Sequence, residues 1–134
     1  MKKVLFLLLT IILIAPSCKK QTQPTTIEGK WHMYKSTYYT GPMDARVPQE
    51  REENSYYEFA GGTVKITNEY GYVDDFSYSF DQENNKIAIG NLNYDVEKFA
   101  AKEMVWVAQS TTVTVIGGKL TTIVEDYYYY LRKE

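Results

Sequence analysis

The side chains that most often carry enzyme chemistry are scarce in this chain. His32 is the only histidine and Cys18 is the only cysteine among 134 residues. A catalytic triad needs a histidine beside its nucleophile, and a zinc site needs several histidine or cysteine ligands. His32 alternates with Trp31 and Met33, so we expect it on the outer face of a strand. We therefore expect no metal, no cofactor and no catalytic function.

Three pairs of adjacent carboxylates are the remaining candidates for acid–base chemistry. They are Glu52-Glu53, Asp74-Asp75 and Glu125-Asp126. Neighbours in a strand point to opposite faces, whereas a glycosidase needs two carboxyls about 5–10 Å apart across a cleft. We interpret the pairs as solvated charge and keep glycoside hydrolysis as the alternative.

Cys18 indicates a different chemistry, because the sequence before it has the features of a secretion signal. Lys2 and Lys3 form a positive start, and residues 4–14 form an apolar run too short for a membrane-spanning helix of about 20 residues. The small residues directly before a single cysteine resemble the lipobox of bacterial lipoproteins. This resemblance implies cleavage of residues 1–17 and lipidation of Cys18. An ordinary secretion signal with an unrelated cysteine is the alternative.

A lipid on Cys18 predicts a protein anchored to a membrane of the cell envelope. Each buried methylene of an acyl chain contributes about 0.8 kcal/mol, and two or more chains anchor a protein stably. Residues 18–26 are polar apart from the cysteine and include Pro24, which predicts an extended tether. An aspartate at Lys19 would resemble an inner-membrane retention signal, so its absence favours the outer membrane of a Gram-negative bacterium.

The mature chain has the size of one domain, which we place at residues 27–134. Removing residues 1–17 leaves 117 residues and lowers the basic side chains from 15 to 13, against 17 acidic ones. No basic patch is present, so we expect no nucleic-acid partner. With Cys18 lipidated, no disulfide forms within the chain, and stability must come from core packing. We expect a monomer.

The composition predicts β structure, since valine, isoleucine, threonine and the 13 tyrosines favour strands. Gly61-Gly62 and Gly117-Gly118 are typical of tight hairpin turns. We expect a long polar loop at residues 40–54 and a short helical turn at residues 97–102. The predicted strands are residues 29–39, 55–60, 63–67, 72–80, 86–90, 92–96, 103–116 and 120–131.

Eight strands joined mostly by short turns predict an all-β fold, an eight-stranded antiparallel up-and-down β-barrel after the signal peptide. Closure removes the open edges that a flat sheet would leave, and a sandwich is the alternative. A one-residue slip at a bulge would invert part of the facing pattern. The residues that we expect to face inward are Trp31, Met33, Phe59, Val64, Ile66, Phe76, Tyr78, Phe80, Ile87, Ile89, Leu92, Tyr94, Val96, Met104 and Trp106.

Several of these residues carry a resemblance to a family. Gly29-Lys30-Trp31 opens the first strand like the G-x-W signature of lipocalins, and Arg132 ends the last strand. Residues 56–64 and 94–106 resemble the bacterial lipocalin-like domain of small lipoproteins. The resemblance implies a lipocalin-like barrel in which the terminal arginine stacks on Trp31, a structural contact worth roughly 0.5–2 kcal/mol.

The resemblance also implies binding of a small apolar or amphipathic ligand inside the barrel. An eight-stranded barrel is just wide enough for its own side chains or for one small ligand. A fully packed core without a pocket is the alternative. The candidate ligand contacts in the interior are Met33, Phe59, Phe76, Tyr78, Tyr94 and Trp106.

Recognition of a protein is the second functional hypothesis, and it depends on the loop at residues 40–54. A loop of this length is unusual between hairpin strands. Arg46, Glu50 and Arg51 are its candidate contacts, and the loop could be a lid, an inhibitory loop for a protease or a plain insertion. Sugar stacking on the tyrosines of residues 127–130 is a third hypothesis, beside their ordinary packing on a sheet.

Overall fold

The computed structural model describes residues 26–42 and 45–134, which form a closed barrel of eight strands. Each strand pairs antiparallel with the next, and the last pairs with the first. The predicted barrel is therefore confirmed, and a sandwich is wrong. The strands are β1 Gly29–Thr40, β2 Val47–Ala60, β3 Thr63–Thr67, β4 Val73–Asp81, β5 Lys86–Ile89, β6 Leu92–Phe99, β7 Glu103–Ile116 and β8 Lys119–Lys133.

The predicted signal peptide at residues 1–17, Cys18 and the tether up to residue 25 lie outside the described residues. Within the described part of the chain, no helix has the length and apolar character that a membrane crossing requires.

The prediction of a long loop at residues 40–54 is wrong. β2 begins at Val47, and its first half pairs with β1 from Thr40↔Val47 to Lys35↔Glu52. This half of β2 is polar on both faces, so it lacks the apolar alternation by which a strand is recognised in sequence. The hairpin connection is therefore only residues 41–46.

The prediction of a helical turn at residues 97–102 is also wrong, because β6 continues to Phe99. The register shifts between Val96 and Lys98, which marks a bulge and brings Phe99 back to the interior. The Phe99 ring lies 6.2 Å from the Trp31 ring, between centroids. Simple alternation from Val96 would place Phe99 on the outer face, so the sequence pattern did not reveal this extension of the strand.

The two predicted glycine turns are confirmed by their backbone angles. Gly61 and Gly62 have φ values of +57° and +83°, and Gly117 and Gly118 have +58° and +79°. Two successive positive φ angles are typical of the type I′ turn, whose twist matches that of the strands it joins. Glycine adopts this conformation without the steric cost that other residues have there.

The core fills one end of the barrel, where β1 begins and β8 ends; we call this the closed end. The Trp31 indole N–H donates a 2.8 Å hydrogen bond to the carbonyl oxygen of Ile27, which places the chain before β1 across this end. Both side chains are almost completely buried. The buried apolar core is Ile27, Trp31, Met33, Phe59, Val64, Ile87, Ile89, Val96, Phe99, Met104, Trp106 and Leu131, with Tyr57, Ile66, Tyr78, Phe80, Tyr94 and Tyr129 partly buried against it.

Two residues of the predicted inward set are exposed. Phe76 is 42% and Leu92 is 56% exposed. Phe76 lies against Gly90, where an added Cβ would be 3.3 Å from the Phe76 ring. Gly90 is in the turn between β5 and β6, and Leu92 begins β6 directly after this turn. Both therefore lie at the rim of the barrel, where the short strands end and no further side chains cover them.

The predicted contact of Arg132 with Trp31 is wrong, and Lys133 takes the place of the arginine. Leu131 faces the core, so by alternation Arg132 points outward, with its guanidinium 5.2 Å from the Tyr34 ring centroid. The Lys133 ammonium lies 5.4 Å from the Trp31 ring centroid and donates a 2.8 Å hydrogen bond to a backbone carbonyl.

Gly29 makes room for this lysine. The Gly29 φ angle is +116°, and a Cβ there would lie 2.8 Å from Lys133 Cε. The glycine of the G-x-W signature thus has two physical reasons in this chain, a backbone conformation that other residues rarely adopt and the passage of a side chain over it.

Replacing Lys133 by alanine is expected to lower the free energy of unfolding by about 1 kcal/mol, because the variant loses a cation–π contact and a hydrogen bond at the closed end. Arg132→Ala is the matched control and should cost less, since this side chain is exposed. Urea unfolding of the three proteins measures both changes. Equal losses would contradict the assignment of Lys133 to the closed end.

Candidate functional site

The end of the barrel opposite the closed end is open, and we call it the mouth. β1, β2, β7 and β8 are 12 to 15 residues long, whereas β3 to β6 have nine residues or fewer. The four long strands therefore form a tall wall on one side. Against this wall lies a cavity of about 330 Å³, lined by Ser36, Tyr38, Gln49, Glu50, Arg51, Glu53, Tyr127 and Tyr129.

A bulge in β1 determines which side chains of that strand reach the cavity. The register of β1 shifts between Met33 and Lys35 against both neighbouring strands. Met33 faces the core before the bulge, whereas Ser36 and Tyr38 face inward after it. Simple alternation from Trp31 would have placed Ser36 and Tyr38 outside, and for that reason sequence analysis missed them.

Tyrosine rings form the apolar surface of the cavity. The Tyr38 and Tyr127 rings are stacked with centroids 4.8 Å apart, across the β1–β8 pair. Tyr129 is the next inward-facing residue of β8 and lies deeper in the barrel. Its ring meets the Tyr94 ring edge to face, with centroids 5.9 Å apart. Burial raises the pKa of both the Tyr94 and Tyr129 hydroxyls, so these phenols are neutral near pH 7 and available as hydrogen-bond donors.

Trp106 lies directly below this layer, paired with Tyr129 in the sheet. Its ring centroid is 5.2 Å from that of Tyr57 and 5.6 Å from that of Tyr94. Burial raises the pKa of the Tyr57 hydroxyl strongly. The Trp106 indole N–H is buried and has no hydrogen-bond acceptor among the described residues. Such a donor costs free energy unless a polar group meets it.

Glu53 and Arg51 form the polar side of the cavity. Ser36 Oγ donates a 2.8 Å hydrogen bond to Glu53 Oε1, and Arg51 Nε lies 3.7 Å from the same oxygen. Arg51 also donates a 3.2 Å bond to Glu69 Oε1. The Glu53 side chain is 18% exposed and that of Arg51 is 66% exposed, so the carboxylate is inside and the guanidinium is at the rim.

A second carboxylate, Glu125, lies behind the stacked tyrosines. The Tyr38 hydroxyl and the Thr40 hydroxyl donate to its Oε1 at 3.2 and 3.4 Å. The Tyr127 hydroxyl lies 3.5 Å from its Oε2. Among the described residues, no lysine or arginine forms an ion pair with this group. Glu125 is therefore a half-buried anion whose partners are all uncharged.

The structure separates the predicted interior contacts from the cavity. Met33, Phe59 and Trp106 are buried in the packed core, Tyr78 and Tyr94 are partly buried against it, and Phe76 lies at the rim. None of the six lines the cavity at the mouth. The predicted loop contacts Glu50 and Arg51 do line it, although they reach it from strand β2 and not from a loop.

Arg46, the third predicted loop contact, lies on the outer face of the barrel. Its guanidinium forms an ion pair with Asp126 and lies 5.6 Å from the Tyr39 ring centroid. Gln109 donates a further 2.8 Å bond to Asp126. Burial alone would raise the pKa of the Asp126 carboxyl, but the hydrogen bonds from Gln109 and Arg46 lower it below its ordinary value. These contacts fasten the 41–46 connection to the barrel wall.

The alternating tyrosines of residues 127–130 are divided between the two faces of β8. Tyr127 and Tyr129 line the cavity, whereas Tyr128 packs edge to face on Tyr39 outside, at 5.5 Å. The Lys35 ammonium covers the Tyr130 ring at 4.4 Å. The outer rings are thus already engaged by neighbouring side chains, and the inner pair is the one that a ligand would meet.

Comparison with known protein families identifies one that covers most of the chain. The model of a family described as a lipocalin-like domain matches residues 9–129. No curated protein and no solved structure matches the chain significantly.

The Asp126→Asn variant is expected to lower the free energy of unfolding by about 2–3 kcal/mol at pH 7, because it leaves the Arg46 guanidinium without its anionic partner. The lowered pKa of Asp126 stabilises the fold at pH values above the ordinary 3.8 of the group, and this contribution is lost as the pH falls through the lower value in the folded protein. Denaturant unfolding from pH 7 to pH 3 should therefore show the two proteins converging in acid.

Asp95→Asn is the control for this measurement. Its ion pair with Lys86 is exposed, with 69% of the Asp95 side chain accessible. The control should change stability by less than about 0.5 kcal/mol at pH 7. A similar loss in both variants, or a gap that does not depend on pH, would contradict the role of Asp126.

Proposed function

Because the chain belongs to the family of lipocalin-like domains, we propose that it binds one small amphipathic molecule at the mouth of the barrel. The family supports small-ligand binding in general, and the cavity supports the mouth as its place in this chain. The proposed site is the set of side chains that line the cavity, not the apolar residues of the core.

The observation that carries the proposal is the division of the barrel interior into a packed end and an open end. Trp31, Phe59 and Trp106 leave no room for a ligand at depth, since each is at most 1% exposed and in contact with other rings. The cavity of about 330 Å³ above them is at the lower end of the range for small-molecule sites. A ligand that fits is therefore small and lies near the rim.

The lining supports an amphipathic ligand. The stacked rings of Tyr38 and Tyr127 offer a flat apolar surface, and Tyr129 continues it towards the core. Ser36, Glu53 and Gln49 offer hydrogen-bonding groups in the same lining. A molecule with an apolar body and one polar end satisfies both kinds of surface.

We further propose that the protein acts at the cell envelope, anchored through a lipid on Cys18. The sequence before Cys18 supports this. Ile27 is buried at the closed end, so a tether at residues 18–26 would enter the barrel opposite the mouth. In this arrangement the mouth opens away from the membrane that holds the lipid. We expect the protein to bind its ligand and not to catalyse a reaction.

Recognition of a partner protein was the alternative, and it depended on a long loop. Residues 47–54 belong to β2, and residues 47–52 pair with β1, so the candidate surface is reduced to the 41–46 connection. Arg46 in that connection is engaged by Asp126 and Tyr39. The cavity therefore favours a small ligand over a protein partner.

Filling the cavity should abolish ligand retention. In Ser36→Trp an indole replaces the small side chain at the centre of the lining, so a molecule carried by the wild-type protein after purification from its host should be lost. Native mass spectrometry measures the bound mass directly. The control is Ser77→Trp on the exposed outer face of β4. Retention by Ser36→Trp, or a bare wild-type protein in every preparation, would overturn the proposal.

The membrane anchor is tested separately with Cys18→Ala in the full chain. The variant lacks the sulfur that would carry the lipid, so it should no longer fractionate with membranes. It should also not be labelled when cells are grown with a radioactive fatty acid. Labelling of the variant at the wild-type level would exclude lipidation at Cys18. Binding at the mouth can be intact in either case.

A further inference from the structure

We propose that the polar end of the ligand carries a positive charge, so that the mouth selects an organic ammonium ion attached to an apolar body. This inference rests on the proposed function, since it names the chemical class of the molecule that the cavity holds. The observations behind it are the charge of the groups around the cavity, the partners of Glu125 and the arrangement of the tyrosine rings.

The charged groups of the cavity and their direct partners have an excess of negative charge. This set contains four carboxylates and two cations. The carboxylates are Glu50, Glu53, Glu69 and Glu125, and the cations are Lys35 and Arg51. Lys35 and Glu50 form an exposed pair with N and O 3.3 Å apart, which leaves three carboxylates for one guanidinium. A cation that enters the cavity therefore meets a favourable potential, which a low-dielectric wall strengthens.

The carboxylate of Glu125 is surrounded by hydroxyl groups. Three hydroxyl groups approach its carboxylate, from Tyr38, Thr40 and Tyr127, and each can donate one hydrogen bond without neutralising the charge. Two of these donors belong to rings that line the cavity. An anion that is half-buried and surrounded only by neutral donors is stabilised further when a cation comes near.

The tyrosine rings give the cation a surface as well as a charge. Tyr38 and Tyr127 stack at the cavity wall with their ring planes 25° apart, and Tyr129 lies beside them. The face of an aromatic ring attracts a cation, and cages of several rings with nearby carboxylates hold quaternary ammonium groups. Here the hydroxyls of two rings point to Glu125, so the rings are fixed in place, and stacking leaves each ring one face that its partner does not cover.

An anionic ligand fits the same cavity poorly. Among the described residues that line the cavity, Arg51 is the only cation, and its guanidinium already contacts both Glu53 and Glu69. It is also 66% exposed, so solvent screens it more than it screens Glu53, which is 18% exposed. A bound carboxylate would have to displace one of these partners and remain close to the other.

Three probes with the same eight-carbon chain test the inference by isothermal titration calorimetry on the purified protein. They are octyltrimethylammonium, octanoate and the uncharged 1-octanol. We expect octyltrimethylammonium to bind about tenfold more tightly than octanol, with octanoate weakest, and we expect added salt to reduce the difference.

Charge-neutral variants assign the effect to its residues. Glu53→Gln and Glu125→Gln keep the size and most acceptors of the side chain, so each should weaken octyltrimethylammonium about threefold or more, and by a larger factor than it changes the binding of octanol. Glu83→Gln, in the exposed turn between β4 and β5 at the closed end, is the matched control and should change neither. Near-ultraviolet circular dichroism confirms that each variant is folded.

Each other outcome overturns the inference in a distinct way. Octanoate binding most tightly, with loss in Arg51→Gln, would show that the mouth selects an anion. Equal binding of the three probes would leave a cavity without charge selection, and in both cases ligand binding itself stands. If none of the three probes binds, the ammonium class of ligand is excluded. Native mass spectrometry of the wild-type protein and of Ser36→Trp then decides whether the proposed function fails as well.

Discussion

The organisation of this barrel depends on one irregularity in β1. Between Met33 and Lys35 the strand shifts its register against β2 and β8 together. A bulge adds an unpaired residue and so reverses the parity of the residues that follow. Trp31 and Met33 face the core before it, and Ser36 and Tyr38 face the cavity after it. One strand thereby contributes both to the apolar packing of the closed end and to the polar lining of the mouth.

The closed end provides the stability that allows the mouth to remain open. A single cysteine permits no disulfide within the chain, so the fold relies on packing. Each fully buried large apolar side chain contributes about 1.5–3 kcal/mol, and the largest of them, Trp31, Trp106 and Phe59, lie together in this core. Their volume also removes the deep chamber that an eight-stranded barrel could otherwise enclose. The proposed ligand site is consequently shallow, and its chemistry is set by the residues of the rim.

At the mouth, polar groups replace apolar packing as the source of order. Ser36 holds Glu53, the hydroxyls of Tyr38 and Tyr127 hold Glu125, and Arg51 joins two carboxylates at the rim. Because these networks fix the side chains before a ligand arrives, little conformational entropy remains to be lost on binding. On the outside, Arg46 and Asp126 keep the 41–46 connection against the wall.

The sequence by itself determined the all-β class, the eight strands, the glycine turns and most of the core, because alternation and turn chemistry are local properties of the chain. It also predicts a lipid on Cys18, and this prediction falls outside the described residues. It failed at the first half of β2, where both faces are polar and no alternation marks the strand. The tertiary structure alone decided that Lys133 and not Arg132 covers Trp31, and that Ser36, Tyr38 and Glu53 meet in one cavity. These outcomes depend on register, since a shift of one residue at a bulge or a strand end changes the face of every side chain beyond it.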